Sequence, residues 1–259
     1  FAYNCIHKKY VSINNILLVP VLIYILSIVF TGGRQSFIYF VIFGIVTSSF
    51  EICRKYNWTT KGTKVVVYIY AGFLAFFLLL FVSMGILGHK IASPLDTLRV
   101  LGHYAGTNIS AFDVFLHRDY PDTQYLGTMT LTGVYAKLQS YGYPAPVSYI
   151  KEFTAFDGIT TNVYTAFRRY IQDYGFVGFS FIMLILGLWY SSWYQYLKRV
   201  SYSSLGLIIY ATYVFPVFLF CREERFMTGT VNTTTLYMIL CMYILYKLLV
   251  TEKEVPHDK

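Results

Sequence analysis

Charge is what this sequence has least of. Only 13% of its 259 residues are Asp, Glu, Lys or Arg, about half the share that a soluble domain carries. Such a chain has too few charges to cover a water-facing surface, which points away from a soluble globular fold. Cysteine is also thin. The four (Cys5, Cys53, Cys221 and Cys241) are dispersed without a C-x-x-C spacing, so neither a zinc site nor a redox pair is indicated. No H-E-x-x-H, G-x-S-x-G or G-x-x-x-x-G-K occurs, which leaves metalloprotease, hydrolase and P-loop NTPase chemistry without support. The apolar runs carry almost no ionisable residue in their interiors, which weakens an ion-coupled transporter, whose helices hold such groups.

What is present is apolar and aromatic. Hydrophobic residues make up 56% of the chain, and 26 Tyr and 22 Phe bring the aromatics to 20%, as in proteins whose rings settle at membrane interfaces. Six runs approach the roughly 20 residues needed to cross a bilayer: 11–30, 36–53, 65–87, 176–197, 203–221 and 233–250. Pro216 is expected to kink or end the fifth. The fold class predicted is an all-α polytopic bundle of about six transmembrane helices. The net charge of +8 does not indicate nucleic acid, because the basic residues sit in short connections. Lys8, Lys9, Arg54, Lys55, Lys61, Lys64, Lys198, Arg199, Lys247, Lys253 and Lys259 fall in alternate loops, which the positive-inside rule makes cytoplasmic. Both termini are then cytoplasmic, and the 31–36, 88–175 and 222–232 connections face outward. Phe1 begins the chain and no signal-peptide pattern precedes the first run, so upstream helices are expected in the whole protein.

Three parts follow: membrane spans over 1–87, an extracytoplasmic loop over 88–175, and further spans with a cytoplasmic tail over 176–259. The loop holds seven Lys/Arg and seven Asp/Glu with apolar residues throughout, so it reads as a functional cap. Residues 98–116 read as an amphipathic helix at the interface, 140–146 as a turn-rich break, and 162–172 as a helix leading into the fourth span.

Chemistry is carried by residues on the outward side. Thr31-Gly32-Gly33-Arg34-Gln35-Ser36 is a polar break between two apolar runs, and Arg34 there suits an anionic head group. It equally suits an ordinary hairpin whose arginine snorkels to lipid. Arg168, Arg169, Arg222 and Arg225 share that side, and converging guanidinium groups would grip a diphosphate bidentately. Alternatively, Arg222-Glu223-Glu224-Arg225 pair among themselves. Candidate proton-transfer groups are His103, Asp113, Glu152, Asp157 and Asp173. Against this, His103 also reads as a solvated loop histidine, and Asp173 as a helix N-cap. The loop tyrosines suit sugar stacking or interfacial anchoring alike.

The Thr31–Ser36 turn, followed downstream by Asn162-Val-Tyr-Thr-Ala-Phe-Arg-Arg-Tyr-Ile-Gln-Asp173-Tyr-Gly175-Phe-Val-Gly178, resembles the Wzy-type oligosaccharide repeat-unit polymerases of bacterial O-antigen and capsule. The resemblance spans residues 16–226 in order. It implies a GT-C-like polytopic glycosyltransferase that uses no nucleotide sugar, no metal and no cofactor. Such an enzyme joins polyprenyl-diphosphate-linked oligosaccharides at the outer face of the cytoplasmic membrane. It implies Arg34 as a diphosphate ligand and includes Arg168 and Asp173 in the matching stretch. Membrane lipids and a chain-length regulator are the further partners implied. An O-antigen ligase shares the broad architecture, and a flippase or exporter of lipid-linked sugars also needs outward basic residues.

Overall fold

The computed structural model describes residues 19–31, 34–87, 94–118, 126–144, 153–156, 159–199 and 205–249. Among these the chain is mostly helical. In order the elements are α1 (Val19–Thr31), α2 (Arg34–Lys55), α3 (Thr60–Leu87), α4 (Pro94–Leu116), α5 (Thr132–Ser140), β1 (Thr154–Phe156), β2 (Ile159–Thr161), α6 (Ala166–Arg199), α7 (Leu205–Tyr213), α8 (Phe215–Leu219), α9 (Met227–Thr230) and α10 (Thr233–Leu249).

Local sequence accounts for most boundaries. α4 begins at Pro94, whose missing N–H is harmless at the first helical position. The last turns of α2 and α6 carry Arg54 with Lys55 and Lys198 with Arg199, where cations complement the carbonyl end of the helix. The fifth apolar run is broken at Val214, because Pro216 at the start of α8 cannot extend the hydrogen-bond ladder of α7.

The expectation of a helix over 162–172 needs correction at its start. Thr154–Phe156 and Ile159–Thr161 pair as an antiparallel hairpin, with Thr154 opposite Thr161, and α6 begins only at Ala166. Thr160, Thr161 and Val163 are β-branched, which favours extended backbone, and the Thr161 hydroxyl accepts the Val163 N–H at 3.1 Å. The first amide of α6, that of Ala166, donates to the Phe220 carbonyl at 2.9 Å, tying the helix start to the segment after α8.

By length and composition, α6 is long and apolar enough to cross a membrane, and little of its apolar stretch is buried within the chain. From Phe176 to Arg199 it rises about 36 Å at 1.5 Å per residue. α7 with α8, and α10, are shorter apolar helices.

The main core joins α2, α6, α7 and α8. Ile42, Val46 and Phe50 lie on one stripe of α2 and meet Tyr190 and Leu197 of α6, Leu207 and Tyr210 of α7, and Phe215 of α8. The Phe50 ring stands edge-on to Tyr194 and Tyr210 at 5.4 and 5.9 Å, the geometry aromatic quadrupoles favour. α3 is tied to α2 by the Tyr70 hydroxyl donating to the Ile45 carbonyl at 2.8 Å. At the C-terminal end of α2, Arg54 pairs with Glu51 at 2.7 Å and reaches the Leu197 carbonyl of α6 at 3.3 Å. Both ends of α6 are thus held by polar contacts.

Candidate functional site

The opposite end of the bundle holds Arg168, Arg169 and Arg225. α6 opens with Arg168, Arg169, Tyr170, Asp173 and Tyr174 in its first three turns. The helix then breaks conformation at Gly175, whose φ of 65° and ψ of −178° are non-helical. The residues that follow are almost wholly apolar, so the polar cluster sits at the mouth of the long apolar helix.

Arg168 is almost fully buried. Its guanidinium lies 3.8 Å from the centroid of the Tyr164 ring and 5.2 Å from that of Phe115 on α4. Cation–π attraction is strongest where, as here, water is excluded. The Tyr164 hydroxyl in turn is hydrogen-bonded to Thr154 of the hairpin. Arg168 therefore joins α4, the hairpin and α6.

Arg169 points to a different partner and donates to the Met129 carbonyl at 2.6 Å. Asp173, one turn on, accepts the amides of Met129 at 3.0 Å and Thr130 at 2.8 Å and the Thr130 hydroxyl at 2.8 Å. The Thr130 hydroxyl also lies 2.9 Å from that of Tyr174. Asp173 is thus inside α6 and engages the 126–131 turn, rather than capping its own helix. Burial raises the Asp173 carboxyl above its ordinary range, against the pull of those three donors and of Arg169.

The segment after α8 supplies the other half. Glu224 is buried and accepts the Tyr170 hydroxyl at 2.8 Å, with the Met227 and Thr228 amides at 2.6 and 3.0 Å, which caps α9. Burial, then the Glu224 charge, pushes the Tyr170 phenol up. Arg225 pairs with Glu223 at 2.8 Å and is partly exposed. Burial lowers Arg169, while the charges of Glu224 and Glu223 hold it up and those of Arg225 and Arg168 oppose it. Arg168, Arg169 and Arg225 therefore share one field with Asp173, Glu223 and Glu224, three charges against three. Arg222 is exposed, three residues before Arg225.

Arg34 is the first residue of α2, and its side chain lies outside the described residues. The start of α2 is nonetheless at this end. Tyr39, five residues or about 7.5 Å further along the axis, packs its ring 4.3 Å from that of Phe215. Phe215 and Arg225 both flank Gly229. His103 lies within α4 with its side chain outside the described residues, and Asp157 and Glu152 lie outside them altogether. Asp113 is exposed and stands 3.6 Å from His117. Among the described residues no group of three or more His, Cys, Asp or Glu is placed to hold a metal ion.

The tetrad pairing that the sequence offered as an alternative is seen at Arg225 and Glu223, while Arg168 turns to two ring faces and Arg169 to the Met129 carbonyl. Sequence reasoning misses Tyr170, Thr130 and the 126–131 turn, which carry no motif. The four-residue spacing of Arg169 and Asp173, which sets both on one helix face, is the signal that was there to find. Glu51 carried a signal too, as a lone carboxylate near the end of an apolar run. Comparison of the chain with protein-family models, curated proteins and solved structures returns no match.

Proposed function

We propose that this chain is a multi-pass membrane glycosyltransferase that joins polyprenyl-diphosphate-linked oligosaccharide repeat units at the outer face of the cytoplasmic membrane. Six spans, cytoplasmic termini and an outward 88–175 loop are part of the proposal. The observation that carries it is the packing of the segment after α8 on the start of α6, through Ala166 with Phe220 and Tyr170 with Glu224, which brings Arg225 into the field of Arg168 and Arg169 at the mouth of an apolar helix. A lipid diphosphate needs this combination of hydrocarbon surface below and fixed guanidinium groups above. Exposed Arg222 and partly exposed Arg225 are the first donors a diphosphate meets, Arg34 completes the clamp, and Arg168 and Arg169 hold the frame. Neutralising the diphosphate stabilises the charge that develops as the sugar–oxygen bond breaks. His103 or Asp157 accepts the proton of the attacking sugar hydroxyl, because Asp173 is buried and turned onto the 126–131 turn.

The reading is tested by the surface-polysaccharide ladder of cells carrying Arg222→Ala, Arg225→Ala or Arg34→Ala in the intact protein. Loss of one diphosphate donor is expected to lower polymer synthesis about 10²–10³-fold and to leave single repeat units. Carrier-linked polymer that is never transferred would instead identify a ligase, and absence of any surface repeat a flippase. An unchanged ladder in all three variants would end the proposal.

A further inference from the structure

Arg169 and Asp173 engage both sides of one peptide. Asp173 takes the N–H groups of Met129 and Thr130, and Arg169 donates to the Met129 carbonyl. With the Thr130 hydroxyl added, the carboxylate takes three donors at 2.8–3.0 Å, close to its accepting capacity. The turn fits this closely because Gly127 has a φ of 80° and no Cβ. A Cβ there would lie 2.8 Å from Leu131 and 3.0 Å from the Tyr174 hydroxyl. Thr130 is fully buried against the helix. A general base must lie within hydrogen-bond distance of the acceptor hydroxyl, and Asp173 is buried with its carboxylate turned onto the 126–131 turn, so a hydroxyl reaches it only by opening that contact.

We propose that Arg169 and Asp173 form a main-chain clasp, with Gly127 and Thr130 as its counterpart, and that Asp173 is a positioning residue and not the base. The clasp holds Arg169 on the Met129 carbonyl and so off Glu223 and Glu224, whose charges it feels. The clasp thereby fixes the polar head of α6, beside which Arg225 pairs with Glu223 at 2.8 Å and faces the anionic ligand. Opening the clasp releases Arg169 from the Met129 carbonyl and loosens the head of α6 beside Arg225. The identity of that ligand as a lipid diphosphate rests on the function proposed above; the clasp itself does not.

Hydrogen exchange of the intact protein in detergent tests the clasp without any catalytic assay. Peptides covering 126–131 are expected to exchange about tenfold or more faster in Asp173→Asn and Thr130→Val than in wild type. Thr130→Ser, which keeps the hydroxyl, should restore protection, and peptides covering 205–219 should change less than about twofold. In the same variants, KM for the lipid-diphosphate donor is expected to rise about tenfold with kcat and the pH profile of kcat/KM little changed, as lost ligand positioning requires. Should Asp173→Asn fail to fold, the Thr130 pair carries both readouts. Rapid exchange of 126–131 in wild type would overturn the clasp. So would Asp173→Asn flattening a limb of the pH profile while the turn stays protected, since that is the signature of a base. Protected exchange in a wild-type protein with no transferase activity would sink the polymerase reading and leave the clasp standing.

Discussion

At Arg168 the guanidinium stacks on two ring faces, Tyr164 and Phe115, and charge alone does not reproduce that. Lysine keeps the charge but is a compact, strongly hydrated group that stacks poorly. Arg168→Lys is therefore expected to lower stability by about 1–2 kcal/mol, read as an earlier thermal unfolding midpoint in detergent. Tyr164→Phe should cost less, since the ring that Arg168 stacks on remains. If Arg168→Lys unfolds with wild type while abolishing transfer, Arg168 meets the substrate directly and the aromatic frame is secondary. Glu224 is the second residue whose role is set by burial. Its carboxylate serves a tyrosine and two amides at once, so it is a cap that also adds negative charge beside Arg169.

Among the elements, α6 depends on a break that only glycine tolerates. Gly175 combines a positive φ with extended ψ, a region closed to residues with a Cβ. No atom lies near enough to clash with an added methyl, so the cost there is conformational, about 1–3 kcal/mol for Gly175→Ala. Gly178 is different, because a Cβ would sit 2.6 Å from the Tyr174 Cβ and force Tyr174 away from Thr130. Gly178→Ala is accordingly expected to raise exchange in the 126–131 turn, whereas Gly175→Ala shifts global stability. Equal exchange rates in the two variants would show that the break does not separate the apolar part of α6 from its polar head. Several helix ends were legible because hydrophobic runs, Pro216 and basic end residues act locally. The hairpin was not, since three-residue strands carry too few residues to show an alternation, and their pairing is settled by packing on α4.

For the whole molecule, the apolar surface is turned outward as much as inward. Val177, Phe181, Leu188 and Trp189 of α6 are exposed, as are Leu236, Leu240, Leu245 and Leu248 of α10. In a bilayer such faces meet lipid tails. Helices there are held by close packing and hydrogen bonds, not by expulsion of water. The Tyr70–Ile45 and Arg54–Leu197 contacts are then structural ties of the bundle. Orientation is testable with native thiols. Cys221 is exposed in the segment after α8, so in whole cells it should react with a membrane-impermeant maleimide, whereas Lys55→Cys should react only after permeabilisation. The reverse pattern would invert the proposed topology and move the arginine cluster to the cytoplasm.

Composition, run length and the placement of basic residues determined by themselves that this chain is mostly helical and apolar, and where several of its helices stop. Those properties follow from nearest-neighbour chemistry: backbone propensity, proline's missing donor, and the cost of burying charge. The tertiary structure alone decided which connections meet. Arg168 became an aromatic-clamped strut, Asp173 a clasp on a distant turn, and Glu224 a buried cap. The contacts of Asp173 with Thr130, Arg168 with Phe115 and Glu224 with Tyr170 bridge residues 43–54 positions apart, a separation over which no local pattern constrains the chain. They are selected because a buried polar group must find a partner wherever the packed fold brings one.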